Sequence, residues 1–460
     1  MRAKWGSKLG FILATAGSAI GLGNIWRFPY LAGKYGGGIF LITYLVCVIL
    51  LGYFLLTAKL AFGRMAQTNI VDGFQKVANQ HHRSVSRMWG WLGGWLAFVN
   101  AWLVSAVYVV VIGWTLSYVM RGGALCLGLS KVTLNESLFQ KLSQSFGEQL
   151  FWGISCLLIT AVVIIRGVKK GIESLSLYLM PALFVLLVFM VLWMVFLPGS
   201  DKGILFFLEP NWERIGFTAT GFRWDLFCDL LMTALGQAIY SLSLGMGVAF
   251  VYGSYLSKDS DIKASTRWIV FLDTLVAFLA GLIVLPAVFA FGLEPGQGPA
   301  LSFVSLPLVF SKMTAGAFLM LLFFLLLFLA ALTSLISICE ASVNLIMDKM
   351  AVSRLKATVM IILADVLGVI LVLISSTKKG TWLGDRNLFD LFDKITGSYT
   401  MPLMVFVCCL FMGWKIWGPL TRHLGQGSGP QSRLFKFYFK WLLRVIAPAV
   451  VVILFLASFF

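Results

Sequence analysis

What most constrains this chain is a series of apolar runs too long for the core of a small soluble domain. Leu177 to Phe196 contains no charged residue, and comparable runs recur along the whole sequence. About 18 or more apolar residues in helical form cross the hydrocarbon of a bilayer, and a helix satisfies its own backbone polar groups there. Read this way, the sequence gives eleven spans at about 10–33, 38–63, 88–120, 149–166, 172–197, 223–255, 267–291, 315–347, 356–375, 389–416 and 436–460. The expected fold class is an all-α polytopic membrane protein. Composition agrees, since 12% of residues are charged where soluble chains carry about a quarter.

The formal net charge is +17, which on a single face would suit nucleic acid. Here the basic residues sit in loops between spans, and more of them fall on the inner side when the N-terminus is cytoplasmic. That is the bias that orients membrane proteins, so the N-terminus is expected inside and Phe460 outside. Arg2, Lys4 and Lys8 lead directly into the first span, which predicts a retained N-terminal stretch instead of a cleaved leader. The seven cysteines are scattered without metal-like spacing, and His81, His82 and His423 lie in loops. Neither a disulfide framework nor a zinc site is expected.

Two spans carry interruptions that lipid disfavours. Span 1 contains "GSAIGLGN" from Gly17 and span 6 contains "SLSLGMG" at 241–247. If spans 1–5 and 6–10 are two halves, the interruptions occupy equivalent places, and an odd number of spans per half inverts the second. Paired broken helices in inverted repeats point to a transporter's substrate site. Each could instead be a close-packing stripe of small residues. Unwinding frees NH and C=O groups that must face protein, water or ligand. The NH groups and positive dipole of the following half-helix suit a carboxylate. The carbonyls of Gly17, Ala19 and Ile20, with the Asn24 side-chain oxygen, suit a small hard cation.

The stretches "GSAIGLGNIWRFPY", "GQAIYSLSLGMG" at 236–247, "YGSYLSKDSD" at 252–261, "KKGIE" at 169–173 and "AALTS" at 330–334 resemble the neurotransmitter:sodium symporter family over nearly the whole chain. The eleven-span layout and Met246 look most like its bacterial, multi-substrate hydrophobic amino acid branch. The resemblance implies one transporter domain over 1–460, with two inverted five-helix repeats at about 10–197 and 223–416 and an extra helix at about 436–460. It implies a sodium-coupled symporter of neutral, apolar or aromatic amino acids in a bacterial inner membrane. An amino acid sensor or a proton-coupled carrier on the same scaffold is the alternative. No catalytic residue is expected. Beyond sodium and a small-molecule amino acid, the expected partners are membrane lipid and no nucleic acid.

Carried over by position, the resemblance implies two sodium sites. One uses the carbonyls of Gly17, Ile20 and Ala330 with the hydroxyls of Thr333 and Ser334. The other uses the Ala19 carbonyl, Asn24, Ser241, Asp273 and the substrate's carboxylate. That carboxylate is expected at the NH groups near Leu22 and Gly23 and the Tyr108 hydroxyl, and the ammonium at carbonyls around Tyr240 and Ser243. Val104, Tyr108, Tyr240, Met246 and Ile338 would line the side-chain pocket, with Ser334 at its edge. Monoamine carriers of the family hold an aspartate where this chain has Gly21, so here the anion must come with the ligand.

The charged residues follow the same route. The resemblance pairs Arg27 with Asp393 as an outer gate, and Arg2 beside Trp5 with Asp348 as an inner latch. Asp273 replaces the family's usual asparagine and is expected to supply the negative charge that chloride gives in animal relatives, with Tyr44, Gln237 and Ser241 forming the rest of that site and Ala277 replacing a bacterial glutamate. Chloride should then not be required. Lys59 replaces a glutamate; it is expected either to snorkel inward or to balance Asp273 or Glu340. Gly171 and Pro181 match a spacing at which the family unwinds span 5.

Overall fold

The structure is a computed structural model that describes residues 3–79, 86–129, 136–218, 221–293, 301–377, 387–427, 429 and 431–457. Arg2, His81, His82, Trp382 and Phe460 lie outside these. Among the described residues nine helices are long and apolar enough to cross a membrane, and a tenth span is the pair Lys8–Ala19 and Gly23–Lys34, bent by 50°. We number this pair span 1. Span 2 is Gly38–Ala66, span 3 Arg87–Cys126, span 4 Phe146–Ile165 and span 5 Val168–Val195. Span 6 is a second interrupted helix, Trp224–Ser241 followed by Val248–Ser254. Span 7 is Ile262–Ala290, span 8 Gly316–Met350, span 9 Arg354–Ser376, span 10 Leu388–Lys415 and span 11 Arg433–Leu456. Span 6 is not among those ten; counted once as an interrupted helix, it makes the arrangement consistent with the eleven expected spans.

Side-chain caps mark where several spans begin. Ser7 accepts from the Gly10 amide at 2.9 Å, Asp261 from Ala264 at 3.1 Å, Asn387 from Asp390 at 2.8 Å and Ser432 from Phe435 at 3.1 Å. Each satisfies an amide that a helix N-terminus leaves without a partner. Most of the apolar windows of spans 3 and 8 are buried, 72% and 78%, whereas those of spans 5 and 11 are 28% and 33% buried. The first two therefore form the centre of the bundle, and the last two show most of their surface to the surroundings, where in a bilayer lipid stands. Short helices absent from the eleven-span reading connect them, including Ile70–Asn79, Asp201–Leu208 and Trp417–Gly425. They are too short or too amphipathic to register as apolar runs.

Candidate functional site

Both interruptions are real breaks. Span 1 stops at Ala19, Ile20 turns to extended backbone at ψ 108°, and helix resumes at Gly23. Span 6 stops at Ser241 and resumes at Val248, with Ser243 in the left-handed region at φ 50° and Gly247 at φ 74°. Glycine takes that conformation freely; serine does so at a cost. Against both breaks lie the central spans 3 and 8.

The first oxygen cluster forms where span 8 meets the span 1 break. Thr333 Oγ1 donates to the carbonyls of Gly17 at 2.8 Å and Ala330 at 2.9 Å. Ser334 Oγ reaches the Ile20 carbonyl at 3.0 Å and those of Gly17 and Ala330 at 3.3 Å. All five expected ligands thus converge. A hydroxyl that turns its proton away offers a lone pair to a cation in the same place, so the set fits a small hard ion.

The second cluster surrounds Asp273, whose residue is fully buried. Its carboxylate accepts from Ser241 Oγ at 2.9 Å and Asn24 Nδ2 at 2.8 Å, with Tyr44 OH at 3.4 Å. Every one of these donors is neutral, and an unbalanced carboxylate at membrane depth is costly. A cation here would relieve that cost. One detail differs from expectation: Asn24 turns its amide nitrogen to Asp273 and Ser241, while its oxygen accepts from the Gly21 amide at 3.2 Å. Coordination by Asn24 requires the opposite amide orientation. Gln237 also differs, since it donates to the Gly23 carbonyl at 2.7 Å and not into the Asp273 cluster.

Between the breaks, the Leu22 amide meets the Tyr108 hydroxyl at 3.3 Å, so the two expected carboxylate-binding groups face one point. A cavity of about 140 Å³ adjoins them, bounded by Leu22, Val104, Tyr108, Tyr240, Arg27 and Asp393 among others. Met246, Ser243 and Ile338 are buried and do not border it; Ser243 Oγ donates to the Ser18 carbonyl at 3.2 Å and its amide to the Tyr240 carbonyl at 3.0 Å. A Cβ on Gly21 would stand 2.6 Å from Ser334 Oγ and 2.8 Å from Tyr108 OH. An aspartate there would displace both.

The outer gate is arranged differently from the expected pair, whereas the Arg2–Asp348 latch lies outside the described residues because Arg2 does. No Arg27–Asp393 ion pair within 4.0 Å occurs among the described residues. Both line the cavity, and the Arg27 guanidinium lies 4.9 Å from the centre of the Tyr240 ring, a cation–π distance. On the opposite side the start of span 1 packs against the end of span 6. Trp5 Nε1 donates to the Tyr252 carbonyl at 3.0 Å and its ring packs edge-on against Tyr252 and Tyr255. Asp348 accepts from the Asn69 backbone and side-chain nitrogens, each at 3.1 Å.

Lys59 follows neither expectation. It is buried, so it does not snorkel, and its Nζ donates to the Leu244 carbonyl inside the span 6 break. Glu340 is paired instead with Arg354 at 2.7 Å. Asn100 Nδ2 takes the next carbonyl, Gly245, at 3.2 Å. Span 5 is also wound: Val168–Glu173 is a π-helical turn that continues into an unbroken helix containing Pro181, and Gly171 gives room to the Val163 carbonyl.

Several residues in this layer escaped sequence reasoning. Glu173 accepts from the Gly6 amide at 2.6 Å and Ser7 Oγ at 2.8 Å, tying the start of span 1 to span 5. Tyr255 OH donates to Glu340 at 2.7 Å and Asn344 Nδ2 to Tyr255 OH at 2.9 Å. The "KKGIE" and "YGSY" stretches held Glu173 and Tyr255, but their partners lie more than 80 residues away in sequence.

The sequence profile of the Sodium:neurotransmitter symporter family matches residues 2–133 and 130–460. The chain belongs to that family. Its relatives include the uncharacterized sodium-dependent transporter YhdH of Bacillus subtilis, 36% identical over 98% of this chain and 97% of the relative. A second is an uncharacterized sodium-dependent transporter of Haemophilus influenzae, 30% identical over 100% and 98%. Among solved structures, MhsT in complex with L-phenylalanine is 34% identical, covers 100% of both chains and superposes with a TM-score of 0.86. This symporter is thus an integral membrane protein of a sodium-dependent transporter family, not an enzyme.

Proposed function

We propose that this chain is a sodium-coupled symporter of neutral, apolar or aromatic L-amino acids working by alternating access. The observation that carries the reading is the Leu22 amide facing the Tyr108 hydroxyl beside Gly21, where no aspartate fits without displacing Ser334 and Tyr108. A ligand held there must bring its own anion. The phenylalanine in MhsT supports an amino acid as that ligand.

In this reading the substrate's carboxylate binds at Leu22, Gly23 and Tyr108, and its side chain lies among Val104, Tyr108, Tyr240, Met246, Ser334 and Ile338. Its ammonium lies at the span 6 break near Tyr240 and Ser243. One sodium takes Gly17, Ile20, Ala330, Thr333 and Ser334. The other takes Ala19, Asn24, Ser241, Asp273 and the bound carboxylate, which makes the amino acid itself a ligand of the ion. Binding must favour closure by contacts that differ between states: Arg27 moves from the Tyr240 ring toward Asp393 on the outer side. Opening inward then separates Trp5, Asp348 and Arg2 and unwinds span 5 between Gly171 and Pro181. Spans 1–5 and 6–10 act as inverted halves over about 10–197 and 223–416, with span 11 outside them. The N-terminus is cytoplasmic in a bacterial inner membrane. Asp273 supplies the fixed anion, so chloride is not needed.

Uptake of labelled phenylalanine into proteoliposomes tests this reading. An inward sodium gradient should drive accumulation, and gluconate in place of chloride should leave the rate unchanged. Accumulation driven by a pH gradient without sodium would replace the reading with a proton-coupled carrier. Loss of uptake in gluconate would remove the role given to Asp273.

A further inference from the structure

One buried acid takes no part in the account so far. Asp365 lies in span 9 with 1% of its surface exposed, and among the described residues it has no ion-pair partner. An ionisable side chain inside a membrane span is rarely kept without a role. Its two oxygens are divided between two other helices. Ser105 Oγ of span 3 donates to Oδ1 at 2.5 Å, and Cys339 Sγ of span 8 donates to Oδ2 at 3.4 Å. A second bond joins the same helices, from Trp102 Nε1 to the Ala364 carbonyl at 3.0 Å.

The positions of the two donors carry the argument. Ser105 directly follows Val104, and Cys339 directly follows Ile338. Val104 lies one helical turn before Tyr108, and Ile338 one turn after Ser334, so each shares a helix face with a residue that meets the span 1 break. Successive helical residues point about 100° apart. Span 3 thus presents Val104 to the cavity and grips Asp365 with the next residue, and span 8 grips Asp365 with the residue after Ile338, a side chain that the proposed placement sets against the substrate. The two walls between which a substrate side chain would lie are held from behind by one carboxyl group.

We propose that Asp365 is a positioning residue that sets the separation of spans 3 and 8 behind the pocket and thereby the size of side chain the transporter accepts. This rests on the proposed placement of the substrate side chain between Val104 and Ile338. Asp365 touches neither substrate nor ion. Its effect is transmitted by Ser105 and Cys339, so its loss should alter discrimination between substrates more than the sodium dependence. One methylene in an apolar pocket changes discrimination by about tenfold or more, so a shift of a fraction of an ångström in this wall is readable.

The test is competition for sodium-driven uptake in proteoliposomes, recorded as the ratio of half-inhibitory concentrations for valine and tryptophan. Wild type, Asp365→Asn, Asp365→Ala, Ser105→Ala and Cys339→Ala are compared, with each melting temperature measured in detergent. Asp365→Asn keeps an acceptor for Ser105 and should keep the wild-type ratio. Asp365→Ala and Ser105→Ala should move the ratio about tenfold, with the sodium half-saturation unchanged. Should Asp365→Ala fail to fold, Ser105→Ala and Cys339→Ala carry the comparison. An unchanged ratio in the folded alanine variants would overturn the proposal, as would a ratio in Asp365→Asn displaced as far as in Asp365→Ala. A wild type that takes up no amino acid with sodium would refute the underlying transport reading instead.

Discussion

Lys59→Met isolates the contribution of one buried ammonium to the substrate site. The break in span 6 leaves carbonyls without helical partners, and two consecutive ones are held by side chains: Leu244 by Lys59 Nζ and Gly245 by Asn100 Nδ2. Methionine preserves most of the apolar stem and removes only the donor. A buried carbonyl left without its partner costs about 1–3 kcal/mol. At about 1.4 kcal/mol per factor of ten, that is a rise of roughly 5- to 150-fold in apparent KM, if the cost falls on the shape of the break that binds substrate. Lys59→Glu should lose more, because a carboxylate would then face a carbonyl oxygen and two acceptors would oppose each other. The assay is initial-rate uptake in proteoliposomes, normalised to reconstituted protein, with the detergent melting temperature as a control for folding. A Met variant whose KM stays within about twofold of wild type would refute the claim that Lys59 holds the break.

Thr333→Val removes one of the five oxygens proposed to hold sodium at nearly constant volume; deleting a polar group that serves a charge costs about 1.5–3 kcal/mol, so the sodium half-saturation should rise by about tenfold or more, and an unchanged value would sink the five-oxygen site. Arg354→Met strands the fully buried Glu340 carboxylate and should lower stability by about 3–5 kcal/mol, with Glu340→Gln added in the same chain recovering part of it; equal melting temperatures for Arg354→Met and wild type would contradict this. Burial, followed by Arg64 and Lys258, pushes the His423 imidazole from 6.5 down to about 4. Its contribution to stability is therefore complete above about 6.5 and lost as pH falls toward 4, and His423→Asn should flatten the decline in melting temperature over that window; parallel curves would exclude it.

The spans and their breaks were legible in the sequence because lipid enforces a length and a composition on every crossing segment. Of the five oxygens around Thr333 and Ser334, the Gly17 and Ile20 carbonyls were legible from the break itself, whereas the Ala330 carbonyl and the two adjacent hydroxyls sit on the continuous span 8 and came only through the family resemblance. The charges were less legible. Lys59 could be ranked as unusual, but its partner is a carbonyl, and a backbone acceptor leaves no mark on residue identity. The same holds for Arg64, which donates to the carbonyls of Lys258 at 3.1 Å and Ser260 at 2.6 Å. Arg27 and Asp393 were expected as a direct pair and instead share only the lining of one cavity; in the proposed cycle their separation differs between states, and one sequence has to serve all of them. Asp365 was missed because a single carboxyl within an apolar run hardly alters its hydropathy; its partners are about 260 and 26 residues away.

The central claim is that main-chain groups bared at two broken helices bind a zwitterion and sodium as one assembly. Equilibrium binding of labelled phenylalanine to the purified protein, titrated with sodium at constant ionic strength with choline as the replacement, addresses it directly. The account predicts negligible binding in choline and an affinity that climbs with sodium. Equal affinity with and without sodium would contradict it.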